Sequence, residues 1–171
     1  MTLAPDAQTS RVLDVIVESS LWAAQPDAEA IVRRAIAAAA SVADEGSSRE
    51  GDLAIVLTND SAIRVLNRNW RGLDKPTNVL SFPAAGGPDD GAPHLGDIVI
   101  AYEITAREAA TEGKTLADHL AHLAVHGFLH LLGHDHETDG EADRMERLES
   151  AILARLGVPD PHAIRETEPS I

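Results

Sequence analysis

The chain of 171 residues contains no cysteine. That absence excludes a disulfide framework, thiolate catalysis and a thiolate zinc site. Any transition metal must therefore sit on His, Asp or Glu. No apolar run reaches the roughly 18 residues needed to span a bilayer. Met1 to Ser10 has neither a basic start nor an apolar stretch, so it does not read as a signal peptide. These absences lead to the expectation of a cytoplasmic protein with no membrane partner. Positive charge is scarce as well: 14 Lys and Arg stand against 28 Asp and Glu, a formal net charge of -14. Binding a polyanion needs local positive potential. The sum therefore argues against broad coating of nucleic acid, and DNA is not expected as a partner.

The distribution of charge says more than the total. Residues 1–60 carry 4 basic and 10 acidic side chains, and residues 84–171 carry 6 and 17. Residues 61–83 carry Arg64, Arg68, Arg71 and Lys75 against Asp74 alone. This short segment is net +3. It is either a solvated helix face or the anion-contacting part of a site.

Apolar residues make up 44% of the chain, enough for one globular domain with a real core. RVLDVIVE (11–18) alternates as a strand. A helix opens at Pro26 and Asp27 and runs to about Val42, anchored by Ile31, Val32 and Ile36. DLAIVL (52–57) is apolar almost throughout and reads as a central strand. A helix over 61–70, strands at 78–82 and 95–102, and helices at 104–112, 115–133 and 140–156 follow. The two later strands form a candidate antiparallel pair across the Gly/Pro/Asp-rich stretch 84–93. No internal repeat is present. The expected class is α+β: a small mixed sheet of about four strands packed against about five helices. The domain is expected over 11–157, with flexible ends at 1–10 and 158–171.

Six of the eight histidines lie between 119 and 136. His126 and His130 are four apart on an apolar helix, so both imidazoles share one face. That is how a helix offers two nitrogens to one zinc. His126, His130 and His134 on one unbroken helix would span about 12 Å, a poor cage for one ion. Gly133 lets the chain turn, and His136 can then face the pair. Three histidines leave a position open, the catalytic rather than the structural arrangement. The zinc-protease pattern HExxH carries its base directly after the first His. Here that position is Gly127. Peptide hydrolysis of that type is disfavoured, and activation of water falls to the metal. Asp135 is a candidate outer partner for a ligand imidazole, or a helix-end residue. His134 is a candidate proton shuttle, or a solvent-facing side chain.

These residues name a family. HGFLHLLGHDH (126–136) resembles the HGxLHLxGYDH signature of the YbeY-type single-strand-specific endoribonucleases, bacterial rRNA-maturation factors. NRNWRGLDKPTNVLSFP (67–83) resembles that family's xxxYRGxDKPTNVLSFP block, and LGDIVI (95–100) is a third match. The resemblance covers about residues 10–157. His134 stands where the family has tyrosine, and Trp70 where it has another aromatic.

The resemblance implies a metal-bearing helix similar to that of the zincins, in an enzyme that hydrolyses RNA. It implies maturation of the small-subunit rRNA 3′ end and ribosome quality control. The partners it implies are single-stranded rRNA and the small ribosomal subunit or its associated proteins. The family's zinc ligands fall on His126, His130 and His136, holding one Zn2+ per chain. Its functional arginine falls on Arg71. Chemistry supports that arginine, because phosphodiester cleavage builds charge on phosphoryl oxygens that a guanidinium can pair bidentately. Lys75 is a candidate contact to a neighbouring phosphate. Trp70 either stacks a base, or is buried in the core or packed against the sheet. Asn78 and Ser81 are candidate groove contacts, with turn-stabilising roles as the alternative. Two rival readings remain. One is a zinc metalloprotease-like amide hydrolase, which needs a substitute base near the metal. The other is a ribosome-associated interaction protein whose metal is mainly structural.

Overall fold

The computed structural model describes residues 12–43, 51–84 and 94–162. Within them the order is β1 (Leu13–Val17), a 3-10 turn (Ser20–Ala24), α1 (Ala28–Ala43), β2 (Asp52–Thr58), α2 (Asp60–Arg71) and β3 (Val79–Pro83). Then come β4 (His94–Ala101), α3 (Tyr102–Glu112), α4 (Leu116–Leu131) and α5 (Asp139–Arg155). The four strands form one sheet in the order β1-β2-β4-β3. β1 and β4 both run parallel to β2, while β3 is antiparallel to β4. The mixed α+β class, the central place of the apolar β2 and the antiparallel β3–β4 pair all agree with the sequence. The 3-10 turn was not expected. It is tied down by Trp22, whose Nε1–H donates to the Thr58 carbonyl at 2.9 Å and whose ring meets Tyr102 edge-on.

The sheet separates two clusters by strand alternation. Leu53, Ile55 and Leu57 of β2, with Ile98 and Ile100 of β4, face α1, α4 and α5 in the larger cluster. Val99 and Ala101 face the other way, toward Ile63 of α2 and Leu80 of β3. α4 is the central helix. Leu120, Leu123, Ala124, Val125, Phe128, Leu129 and Leu131 are all buried, so it is apolar over most of its circumference. Its N-cap is Thr115, which accepts from the Asp118 amide at 3.0 Å.

The site is positioned by two close approaches. α4 lies tight on the sheet at Gly127: a Cβ there would meet Ile98 Cγ2 at 2.9 Å and Ser81 Oγ at 3.1 Å. The Ser81 hydroxyl donates to the Gly127 carbonyl at 3.1 Å, clamping β3 to the helix. At the other end Gly133 takes φ +103°, which an L side chain rarely adopts, and the chain leaves the helix axis there. α5 then starts from a capping box, in which Thr138 and Glu141 bond each other's backbone amides. Of the segment assigned to the C-terminal tail, Val158–His162 is described. Asp160 Oδ1 accepts from Ser150 Oγ at 2.8 Å and from the His162 amide at 2.9 Å. The expected flexible ends at 1–10 and 163–171, and most of the loop over 84–93, lie outside the described residues. Among the described residues no helix is long and apolar enough to cross a membrane.

Candidate metal centre

His126 and His130 lie on the last turns of α4, and His136 lies in the turn beyond Gly133. Their ligand atoms come within 4.8 Å of one another. The two Nε2 atoms of His126 and His130 are 3.2 Å apart. The His136 ring lies 5.2 Å from that of His130 and 6.1 Å from that of His126, centroid to centroid. His136 is exposed and the other two are partly buried, so the open side of the group is the solvent side.

The partner that sequence reasoning missed is Glu149 of α5. The Nδ1–H of His126 donates to Glu149 Oε2 at 2.5 Å. This fixes the His126 tautomer, leaving a lone pair on Nε2 that points toward His130. Two imidazole nitrogens facing each other at this separation need a proton or a cation between them. Three convergent nitrogens with a carboxylate behind one of them is a donor set that fits a zinc-type ion. Glu149 is 2% exposed. Burial alone would push its carboxyl up, but hydrogen bonds and charge from His122 and His126 outweigh that and hold it well below the usual carboxylate range. Burial lowers the His130 imidazole, as do the neighbouring His126 and His136; Asp135 and a His134 backbone hydrogen bond oppose this. A signal for Glu149 was present in the sequence. Met145, Glu149 and Ile152 recur at helical spacing and all are buried, so this carboxylate interrupts an apolar stripe.

Asp135 Oδ1 accepts from the His136 amide at 2.7 Å, a local turn bond that holds the third imidazole's backbone. His134 is lowered first by burial and then by Arg144. Its backbone amide closes the helix end on the Leu129 carbonyl at 3.0 Å. Gly127 explains the missing protease-type glutamate sterically, because that position faces Ile98 and Ser81 of the sheet. Ser81 is accordingly engaged with the α4 backbone. Asn78 Nδ2–H donates to Glu108 Oε1 at 2.9 Å, and its own Oδ1 accepts from the Val79 amide at 2.6 Å.

Arg71 ends α2, where Gly72 (φ +74°) turns the chain. In the basic segment, Arg64 binds Asp74 through Nε at 2.8 Å and Nη2 at 3.3 Å, and Arg68 lies 3.9 Å from the same carboxylate. Among the described residues, Arg71 and Lys75 form no ion pair. Arg71 Nη1 donates to Asn67 Oδ1 at 3.3 Å, a neutral partner. Asn67 is buried, and its Nδ2–H donates to the Lys75 carbonyl at 2.8 Å. One side chain of α2 thus holds both the Arg71 guanidinium and the backbone of Lys75. Trp70 is 70% exposed, with only an edge contact to Phe82 at 5.7 Å between ring centres. It is not part of the core.

Comparison with known proteins places this geometry among relatives. The family profile described as Endoribonuclease YbeY matches residues 17–157. A Nitrobacter winogradskyi protein named Endoribonuclease YbeY is 58% identical over 157 residues, covering 89% of this chain and 82% of its own. A Bradyrhizobium sp. protein of the same name is 58% identical over 158 residues, covering 90% and 93%. The solution structure of TM1509 from Thermotoga maritima is similar in fold, with TM-score 0.56 and 19% identity over 88% of this chain and 99% of that one.

Proposed function

This chain belongs to the YbeY endoribonuclease family, and from that premise we propose that it hydrolyses single-stranded RNA at the His126, His130 and His136 group, with one Zn2+ bound there. The protein is an endoribonuclease, hence a hydrolase. The observation that carries the metal assignment is the convergence of three imidazole nitrogens, one of them backed by Glu149. When bound, the ion supplies a Lewis acid and acidifies water near neutral pH.

The rest is work for this chain's own residues. Glu149 holds His126 in the tautomer whose Nε2 is available as a donor. Arg71, with no acidic partner among the described residues, pairs with the phosphoryl oxygens of the scissile bond. Lys75 meets an adjacent phosphate, and exposed Trp70 offers a face to a base. Asn67 holds the Arg71 guanidinium through Oδ1 and the backbone of Lys75 through Nδ2–H. Ser81 and Asn78 set the groove wall through their bonds to α4 and α3. His134 and Asp135 shape the turn that presents His136. The natural substrate is the 3′ end of small-subunit rRNA, met on the small ribosomal subunit or its associated proteins in the cytoplasm. Those partners supply positioning that a chain of charge -14 does not.

The test is cleavage of a defined single-stranded RNA by purified protein, with Arg71→Ala and His130→Ala beside it. Loss of one transition-state contact of this kind lowers the rate about 100- to 1000-fold. His130→Ala should abolish cleavage and Arg71→Ala should reduce it by that factor with the fold intact. Equal rates in all three proteins would place the activity elsewhere.

A further inference from the structure

A second group of donors lies behind the first. Nε2 of His122 in α4 and Nε2 of His162 beyond α5 both approach Oε1 of Glu149, at 3.1 and 2.8 Å. All three ligand atoms lie within 4.8 Å of one another. We infer that His122, Glu149 and His162 form a second divalent-metal site, which shares Glu149 with the His126, His130 and His136 group.

The donor chemistry is two imidazoles and a carboxylate, a set that suits zinc and its neighbours in the first transition row. Donors around such an ion stand about 2.0–2.2 Å from it, so the rings need to rotate outward slightly to admit one. The tautomer of His122 is free to serve. Its Nδ1 is buried with no partner among the described residues, and no bond there fixes what Nε2 presents. That nitrogen can offer an N–H to Glu149 or a lone pair to a cation. Room is available too. A cavity of about 310 Å³ opens beside His122 and His162, with Glu108, Glu112 and Lys114 on its wall, Lys114 pairing with Glu112 at 3.0 Å. Glu112 is balanced by Lys114, so the carboxylate that favours a cation there beside Glu149 is Glu108, and the cavity leaves coordination positions for water.

Glu149 cannot be spared by either group. Oε2 takes the Nδ1–H of His126 while Oε1 faces the second pair. Two ions would therefore be linked through a carboxylate and an imidazole, much farther apart than the roughly 3.5–4 Å of a two-metal catalytic pair. The second ion is a structural one. It pins the chain after α5 to α4 and fixes the carboxylate that orients His126.

The experiment is metal counting on the full-length protein. Chelator-stripped protein is dialysed against buffered Zn2+ and bound metal is measured by elemental analysis, with Co2+ absorption spectra as a second readout. The wild type should bind two ions per chain. His162→Gln should bind one, keep a cooperative thermal melt and retain the Co2+ spectrum of the first site. His130→Ala should also bind one, with the complementary spectrum, and the double variant none. Should His162→Gln melt non-cooperatively, His122→Gln is counted in its place. A wild type that saturates at one ion, or a His162→Gln (or His122→Gln) protein that still binds two, overturns the proposal. Loss of an ion in His162→Gln but not in His130→Ala would sink the first site while leaving the second.

Discussion

Gly127→Ala adds one methyl group at the closest helix–sheet approach. In an open helix this change stabilises by about 1 kcal/mol, because glycine loses more backbone freedom on folding. Here the new Cβ lands 2.9 Å from Ile98 Cγ2 and 3.1 Å from Ser81 Oγ. Neither neighbour yields easily. Cγ2 is fixed directly to the Cβ of a stiff β-branched residue that is fully buried in β4. Ser81 Oγ is held by its bond to the Gly127 carbonyl. Overpacking of this kind costs about 1–3 kcal/mol, and the lost Ser81 bond adds about 1 kcal/mol. The net expectation is destabilisation by about 1–3 kcal/mol after the helix gain of about 1 kcal/mol is subtracted. Guanidinium unfolding should show a lower midpoint at unchanged slope. In an Ile98→Ala background the same substitution should become neutral or stabilising, because the obstructing methyl is gone. A Gly127→Ala protein more stable than the wild type would refute the steric account. Gly127→Glu, which would rebuild the protease-type motif, forces a carboxylate against the same wall and should not fold.

Other outcomes follow from separate contacts. Asn67→Ala removes the buried bond to the Lys75 carbonyl. It should cost about 1–3 kcal/mol and lower RNA cleavage as well, read by thermal melts and rate measurements on the same samples. Glu149→Gln should weaken Zn2+ binding about 10- to 100-fold, measured by competition with a chelator of known affinity; unchanged affinity would deny Glu149 its role behind His126. His119 is lowered mainly by burial, against the opposing Glu108 hydrogen bond. The unfolded chain takes up this proton near pH 6.5, before the folded chain does. Stability from His119 is therefore full above about pH 6.5 and is lost as pH falls through the lower folded value. Melting temperature should drop on going from pH 7 toward 5, and His119→Gln should flatten that slope. An identical slope in the variant contradicts the assignment.

The parts of the molecule legible in the sequence are those encoded locally. Each strand and long helix announced itself through period, caps and glycine exits, with ends shifted by a residue or two. His126, His130 and His136 were legible for the same reason, since two share a helix face and Gly133 separates the third. What escaped was set by packing between distant segments. Glu149 is 23 residues from His126, and only the docking of α5 on α4 brings them together. His162 looked like part of a tail because its value depends on that same docking. Gly127 was visible as a missing base, but its reason, the pressure of Ile98 and Ser81, lies in the sheet. Trp70 carried two readings in the sequence; its exposure removes burial in the core from them.

The sheet order also dictates a sequence of events. β2 pairs with β1 on one side and β4 on the other, and the contact from Val12 to Asp52 already spans 40 residues. Neither of its pairings is a hairpin. Distant pairings close slowly because loop entropy is lost before contacts compensate. Full pairing of the central strand therefore needs β4, which follows the basic segment that carries Arg71 in the chain. α4 comes later still and needs the finished face of Ile98 and Ser81 against which Gly127 fits. His126, His130 and His136 lie C-terminal to every strand, so in chain order the convergent imidazoles follow the whole sheet and the basic segment alike.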